Sequence, residues 1–160
     1  GGPIVKFGTK WPSITSAFFI TGCGFKVVDQ KFFEEYRFSE LNITGDNRVV
    51  YLFKNKLKID NENSYKNIKI KLDTKKIKTI KEKNIQNEIT KYEIIISVKT
   101  VYIVENSGEI GEFFLSKKGD YNINSKHSET LNNEKILIKN LINDIADQII
   151  RNLKIRLDDL

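Results

Sequence analysis

The sequence predicts an α+β fold: a two-layer sandwich with two helices on one face of a mixed or antiparallel sheet of about four strands. Three segments alternate apolar and polar residues as β-strands do, and the C-terminal segment repeats apolar residues every three or four positions, as an amphipathic helix does. The chain has 160 residues, of which 39% are hydrophobic, so it can bury the core of one domain. We expect the element order β-α-β-β-β-α over residues 38–160.

The first strand and the first helix are predicted from a short segment. The strand is expected to begin at Phe38 and to end before the turn Gly45-Asp46. Asp46 can accept a hydrogen bond from the first free backbone amides of a helix. Apolar residues at helical spacing follow it, which predicts a short amphipathic helix to about Lys58. These residues are Val49, Val50, Leu52, Phe53 and Leu57.

Three further strands follow a polar loop at residues 60–64. Residues 65–72 alternate, with isoleucine and leucine on one face and lysine on the other, and further lysines extend this row to Lys83 with room for a bulge. Residues 88–104 give the strongest strand pattern, and 110–121 return after a hairpin turn. We expect this hairpin at the centre of the sheet. From Glu134 onward the pattern predicts a helix of about seven turns, whose start could lie earlier in the polar segment before it.

The positive charge of the chain is concentrated in one segment. The formal net charge is +6, and residues 54–83 contain eleven lysines against four acidic residues. Two kinds of anionic partner fit such a segment: nucleic acid, with Tyr65 available for stacking, or an amphiphile that carries phosphates. No nucleic-acid-binding motif accompanies the lysines. The alternative explanation is a compositional bias that fills solvent-facing positions with lysine.

The sequence offers little for catalysis or metal binding. With one cysteine and one histidine, His127, it has neither an intramolecular disulfide nor a zinc-ligand cluster. His127 lies in a polar segment without a nucleophile motif, and the adjacent carboxylates Glu34-Glu35 and Asp158-Asp159 are typical of a solvated surface. There is no phosphate-binding glycine loop. We expect no enzyme activity, no metal and no cofactor other than a covalent lipid.

That lipid is expected at the N-terminal segment. Residues 1–22 carry Lys6 and Lys10, then an apolar run that ends at Ile20, then Thr21-Gly22 before the single cysteine, Cys23. A basic start, an apolar run and small residues are typical of a signal peptide, and the run is shorter than the ~20 residues of a membrane-spanning helix. We expect cleavage before Cys23 and a lipidated tether at 23–37. The alternative is a buried N-terminal strand.

Several segments together resemble a known family. They are Cys23-Gly24-Phe25 after the apolar run, Thr90-Lys91-Tyr92 in a strand, Phe113-Phe114 and Tyr121 in the return strand, and Ala146-Asp147-Gln148-Ile149 in the last helix. This set resembles the outer-membrane lipopolysaccharide-assembly lipoprotein family (LptE). The order of elements agrees along nearly all of residues 23–160.

The resemblance implies an outer-membrane lipoprotein that is not an enzyme. It would sit inside a β-barrel translocon (LptD) as plug and folding partner, bind lipopolysaccharide, and be anchored at the periplasmic side by the lipid on Cys23. Gly24 is compatible with sorting to the outer membrane, although Ile20 stands where the family's lipidation motif usually has leucine. Six lysines are expected to face lipopolysaccharide phosphates or acidic barrel residues. They are Lys66, Lys69, Lys71, Lys75, Lys76 and Lys78.

Two other functions stay open beside this one. The first is an unrelated periplasmic lipoprotein that recruits protein partners only, and the second is a basic nucleic-acid-binding domain. Under the family resemblance no nucleic-acid partner is expected.

Overall fold

The computed structural model describes residues 35–58 and 66–158. The expected signal peptide at 1–22, Cys23, most of the expected tether and Tyr65 lie outside the described residues. The elements follow the predicted order β-α-β-β-β-α, which confirms the α+β class. They are β1 (Tyr36–Thr44), α1 (Asn47–Leu57), β2 (Lys66–Lys83), β3 (Ile89–Val104), β4 (Ile110–Asn122) and α2 (His127–Asp158). The first strand therefore begins two residues before the predicted start at Phe38.

The four strands form one mixed sheet in the order β1-β2-β3-β4. β1 runs parallel to β2, and the other neighbours are antiparallel. Helix α1 supplies the crossover that two parallel strands require. The expectation that the β3–β4 hairpin forms the centre of the sheet is wrong. The crossover places β2 beside β1, so β2 has β1 on one side and β3 on the other, and β4, which pairs only with β3, becomes an edge strand.

Both helices cover one face of this sheet, and the core lies between the two layers. Alternate residues of β2 and β3 point toward the helices, as the period of a strand requires. Ile68 and Leu72 of β2 and Ile96 of β3 have no exposed surface. Burying a side chain of this size contributes about 1.5–3 kcal/mol. We call the helix-covered side the inner face and the other side the open face.

Helix α1 begins where the sequence predicts. Asp46 Oδ1 accepts hydrogen bonds from the backbone amides of Arg48 (3.0 Å) and Val49 (3.4 Å), which confirms its role as the N-cap. Gly45 precedes the cap with φ +139°, and a Cβ there would collide with the side chain of Thr74. Only glycine fits this turn without strain.

Helix α2 is longer than predicted, with 32 residues starting at His127. Its first turns carry polar side chains and the exposed Leu131, and buried residues begin only at Ile138. The apolar stripe that predicts the helix from Glu134 is therefore absent from its start. Among the described residues, no helix combines the length and apolar character needed to cross a membrane.

Strand β2 continues well past Leu72, and its pairing with β3 shifts register between Ile80 and Lys83. This shift confirms that the end of the strand carries a bulge. In the following turn, the Asn84 side-chain oxygen accepts hydrogen bonds from the amides of Gln86 (3.0 Å) and Glu88 (2.9 Å). Ile85 at the tip is 99% exposed.

Candidate ligand-binding surface

The six lysines singled out from the sequence lie on both faces of the sheet. Lys76 and Lys78 pair across the strands with Ile96 and Ile94, both buried on the inner face, so these lysines also point to the inner side. Lys66 lies an even number of residues before them on β2 and therefore also points to the inner side. The other three, Lys69, Lys71 and Lys75, belong to the open face. The prediction of one continuous row is wrong because neighbouring residues of a strand point to opposite faces.

Several of these lysines already have a partner. The Nζ atoms of three of them lie close to carboxylate oxygens: Lys69 to Glu105 (3.7 Å), Lys76 to Asp46 (3.7 Å) and Lys78 to Glu134 (2.8 Å). The ammonium group of Lys66 lies 5.3 Å from the centre of the Tyr36 ring.

The remaining two, Lys71 and Lys75, form no ion pair with any described residue. A phosphate would therefore meet free ammonium groups at these two positions, and at Lys69, Lys76 and Lys78 it would have to displace a carboxylate. Nothing observed tests phosphate binding at the six lysines, which stays a prediction.

The pair Lys78–Glu134 belongs to a cluster that joins β2, β3, β4 and α2. The Tyr121 hydroxyl donates a hydrogen bond of 2.7 Å to the same Glu134 oxygen that accepts from Lys78. Lys78 Nζ also lies 4.5 Å from the centre of the Tyr92 ring, and the rings of Tyr92 and Tyr121 are 5.8 Å apart. The ammonium group thus gains a cation–π contact in addition to its ion pair.

Protonation in this cluster is set by mutual hydrogen bonding. The hydrogen bond to Glu134 raises the pKa of Lys78 above its ordinary value. Burial opposes ionisation of Glu134, but the hydrogen bonds from Lys78 and Tyr121 lower the pKa of this carboxyl overall. Burial, followed by the hydrogen bond to Glu134, raises the pKa of Tyr121. At neutral pH the positive charge of Lys78 is balanced by the negative charge of Glu134, and Tyr121 is a neutral phenol. This arrangement favours a role in holding α2 against the sheet over a role in binding an anion.

A groove that the sequence did not indicate lies between the start of β1 and the C-terminal end of α1. Its volume is about 390 Å³. The one available signal was the spacing of Lys54 and Lys58, four residues apart on a predicted helix. The lining residues are Arg37, Phe38, Ser39, Leu41, Lys54, Leu57 and Lys58. We call it the β1–α1 groove.

The open face carries exposed apolar side chains near its edge. Ile103 of β3 pairs with Ile110 of β4, and Phe114 lies further along β4. Ile110 and Phe114 are 68% and 69% exposed. Ile103 and Ile110 lie side by side, and Phe114 follows on the same face of β4 with Glu112 between it and Ile110. Exposed apolar side chains of this size grouped on one face favour a protein contact. We call these three residues the open-face apolar patch.

Over the described ranges, no group of three or more histidine, cysteine or acidic side chains is arranged to hold a metal ion. His127 is exposed at the start of α2.

Solved structures of lipoproteins share this fold. No family model matches the chain, and no curated protein matches it in sequence. Rare lipoprotein B from Shewanella oneidensis superposes with a TM-score of 0.57 at 15% identity, over 75% of this chain and 96% of the other. A lipoprotein candidate from Caulobacter crescentus CB15 gives 0.55 at 12% identity, over 82% and 96%. The described domain therefore has the fold of these two proteins, over nearly their whole length.

Proposed function

We propose that this chain is a lipid-anchored lipoprotein of the LptE type, which acts at the periplasmic side of the outer membrane as plug and assembly partner of the lipopolysaccharide-translocating barrel. The observation that carries the proposal is the shared fold with rare lipoprotein B over 96% of that chain. It is supported by Cys23 after an apolar run and by the motifs that resemble the family. The role is binding and assembly, without catalysis.

Anchoring through Cys23 follows from lipid chemistry. Each buried methylene of an acyl chain contributes about 0.8 kcal/mol, so one chain binds a membrane only marginally while two or more hold it stably. Twelve residues separate Cys23 from Tyr36, so an acylated cysteine would keep the start of β1 within about 45 Å of the membrane surface.

The open face is the side that we propose contacts the barrel. It carries the open-face apolar patch and, further from the edge, Lys71 and Lys75, which form no ion pair within the described part of the chain. The apolar patch would bury surface against the barrel wall, and the two lysines would meet acidic barrel residues or lipopolysaccharide phosphates. The inner face is covered by the chain's own helices.

A co-purification experiment in a Gram-negative host tests this proposal. The wild-type chain should be labelled by a radioactive fatty acid and should co-purify with an outer-membrane barrel, while Cys23→Ala should lose the label. The double variant Ile110→Ser/Phe114→Ser should recover at least about tenfold less barrel, because it removes most of the exposed apolar area of the patch.

Ile155→Ser is the matched control for the double variant. Ile155 is 67% exposed on α2, away from the open face, so its replacement should leave barrel recovery unchanged. If the labelled wild-type chain recovers no barrel, the assembly role is wrong. If the chain takes up no label at Cys23, the lipid anchor is wrong.

A further inference from the structure

We propose that the free edge of β4 pairs with β4 of a second copy of this chain, so that two four-stranded sheets become one continuous sheet. The proposal goes beyond the proposed function, because it depends on neither the lipid anchor nor the barrel. It rests on three features of β4: the direction of its backbone groups, the regular course of the strand, and the charges along its open face.

Half of the backbone groups of β4 point away from the sheet. The amide of Val104 donates to the carbonyl of Glu109 (2.8 Å), and the amide of Ile123 donates to the carbonyl of Thr90 (3.0 Å). Between these two bonds the pairing with β3 has no register shift, so the odd-numbered residues of β4 exchange hydrogen bonds with β3. The amides and carbonyls of the even-numbered residues therefore face the free edge. These exposed residues are Ile110, Glu112, Phe114, Ser116, Lys118 and Asp120.

The course of β4 suits pairing with another strand. Within the described residues, no hydrogen bond reaches the outward-facing amides and carbonyls of these six residues, and such an edge is a template for a further strand. β4 has 13 residues, no proline and no register shift. Its inward-pointing charge, Lys117, is neutralised by Asp144 (3.2 Å). β1, the other edge strand, has nine residues and a register shift between Phe38 and Glu40.

Helix α2 leaves this edge accessible. Its polar contacts with β4 go to odd-numbered residues on the inner face, where Lys117 bonds Asp144 (3.2 Å) and Tyr121 bonds Glu134 (2.7 Å). The sheet is about 19 Å wide at ~4.8 Å per strand, which gives each of its two helices about 10 Å. Packed helices lie about 8–10 Å apart. Two copies paired at β4 therefore have room for their α2 helices side by side.

The charges on the open face of β4 select one register. In a symmetric antiparallel pair centred on Leu115, Glu112 of each copy lies opposite Lys118 of the other. Lys118 forms no ion pair with any described residue, and Glu112 has a long, exposed one with Lys99 (3.7 Å). Directly opposite residues place their side chains next to each other on the same face. The β4–β4 pairing thus contains two reciprocal ion pairs, as a twofold-symmetric interface requires.

The neighbouring registers are less favourable. A pairing centred on Ser116 would place Glu112 opposite Asp120 on both sides of the axis, and like charges directly opposite each other destabilise paired strands. A pairing centred on Phe114 would place Lys118 opposite an isoleucine and Glu112 opposite a serine, without a charge pair. Because the complementary charges belong to the strand itself, they favour a second copy over a different partner.

Sedimentation velocity of the purified chain at rising concentration tests the proposal, with a reducing agent present to prevent a disulfide between two Cys23 side chains. The wild-type chain should form a dimer reversibly. Glu112→Lys and Lys118→Glu each place like charges opposite each other, so each alone should weaken dimerisation at least about tenfold. An equal mixture of these two variants should dimerise nearly as well as wild type, because each positive side chain at the two positions again faces a negative one.

Ser116→Pro tests the backbone pairing separately. It removes an amide that faces the free edge and takes no part in the bonds with β3, so it should abolish the dimer. Ser116→Ala is its control, since it loses the same side-chain hydrogen bond to Ser97 (3.2 Å) and should still dimerise. Lys71→Glu controls for net charge, because β3 separates its strand from β4, and it should leave dimerisation unchanged.

Three outcomes would overturn the proposal. They are a chain that stays monomeric at every concentration, a dimer that neither Lys118→Glu nor Ser116→Pro weakens, and a mixture of the two charge variants that associates no better than each alone. The charge variants carry the test if Ser116→Pro fails to fold. A monomeric chain that recovers the barrel would leave the proposed function standing, and a dimeric chain that recovers no barrel would leave only the β4–β4 pairing.

Discussion

The inner face of β2 changes character halfway along the strand. Ile68, Ile70 and Leu72 in the first half are at most 2% exposed. In the second half the same face carries Lys76 and Lys78, which are held by carboxylates that precede α1 or belong to α2. The strand and its alternation are the same in both halves. What differs is the cover, because apolar side chains bury the first half completely, whereas the side chains of Lys76 and Lys78 in the second half stay 28% and 45% exposed.

The comparison teaches where the stability of the sheet resides. A fully buried isoleucine or leucine contributes about 1.5–3 kcal/mol, whereas an exposed ion pair contributes about 0–1 kcal/mol. The covered half should therefore dominate the free energy of unfolding, and the charged half should mainly position the hairpin.

The largest effect is expected in the covered half. Leu72→Ala should lower the free energy of unfolding by about 2–5 kcal/mol, because it opens a cavity at a site without exposed surface. Urea unfolding measures this change. The neighbouring Lys71→Ala on the open face is the control and should change the free energy by no more than about 0.5 kcal/mol. Similar losses for both variants would show that the two faces do not differ in packing.

A smaller effect is expected in the Lys78 cluster. Glu134→Gln should cost about 1 kcal/mol at pH 7, a modest figure because the Lys78 side chain is 45% exposed and solvent screens the pair. The folded pKa of Glu134 is lowered, so its stabilisation is present above the ordinary carboxyl pKa and is lost as the pH falls through the folded value.

The pH dependence gives this prediction a second measurement. Between about pH 5 and pH 3, the wild-type chain should lose more stability than Glu134→Gln, which has no carboxyl to protonate at this position. Thermal unfolding at each pH compares them. Parallel pH profiles for the two proteins would mean that the ion pair does not stabilise the charged half.

The smallest expected difference, roughly 0.5 kcal/mol, separates a helix cap from an ion pair at one residue. Asp46→Ala removes both the cap of α1 and the partner of Lys76, and should cost about 1 kcal/mol. Asp46→Asn keeps a capping oxygen and removes only the charge, so it should cost no more than roughly 0.5 kcal/mol. Urea unfolding of the two variants measures the difference. If Asn costs as much as Ala, the pair with Lys76 outweighs the cap.

Periodicity was enough to predict most of the fold. The alternation at Ile68, Ile70 and Leu72, the cap at Asp46 and the helical stripe of α2 each depend on residues close in sequence, and each is confirmed. The strand order was not predictable in the same way. The strand order depends on which strand of the sheet pairs with β1, and no local sequence pattern encodes that choice.

Local sequence patterns predicted the candidate surfaces even less well than the strand order. Counting lysines revealed a basic segment, but not that Lys78 is neutralised by Glu134, which lies far along the chain. The β1–α1 groove escaped prediction because its base depends on the register shift at Phe38–Glu40, which places Phe38 and Leu41 on one side against simple alternation. An ion pair between residues distant in sequence, and a shift in strand register, arise only when the chain has folded. A local sequence pattern therefore does not predict them.

The length of β2 gives the domain a long reach. Its 18 residues span at most about 55–60 Å at the ~3.3 Å rise of a strand. Tyr36 pairs with Lys66 at one end of this span, and the tip with Ile85 lies at the other. The distance is close to twice the ~30 Å hydrocarbon thickness of a bilayer. A contact made at the tip would therefore be displaced by tens of ångströms from the place where the chain enters the sheet.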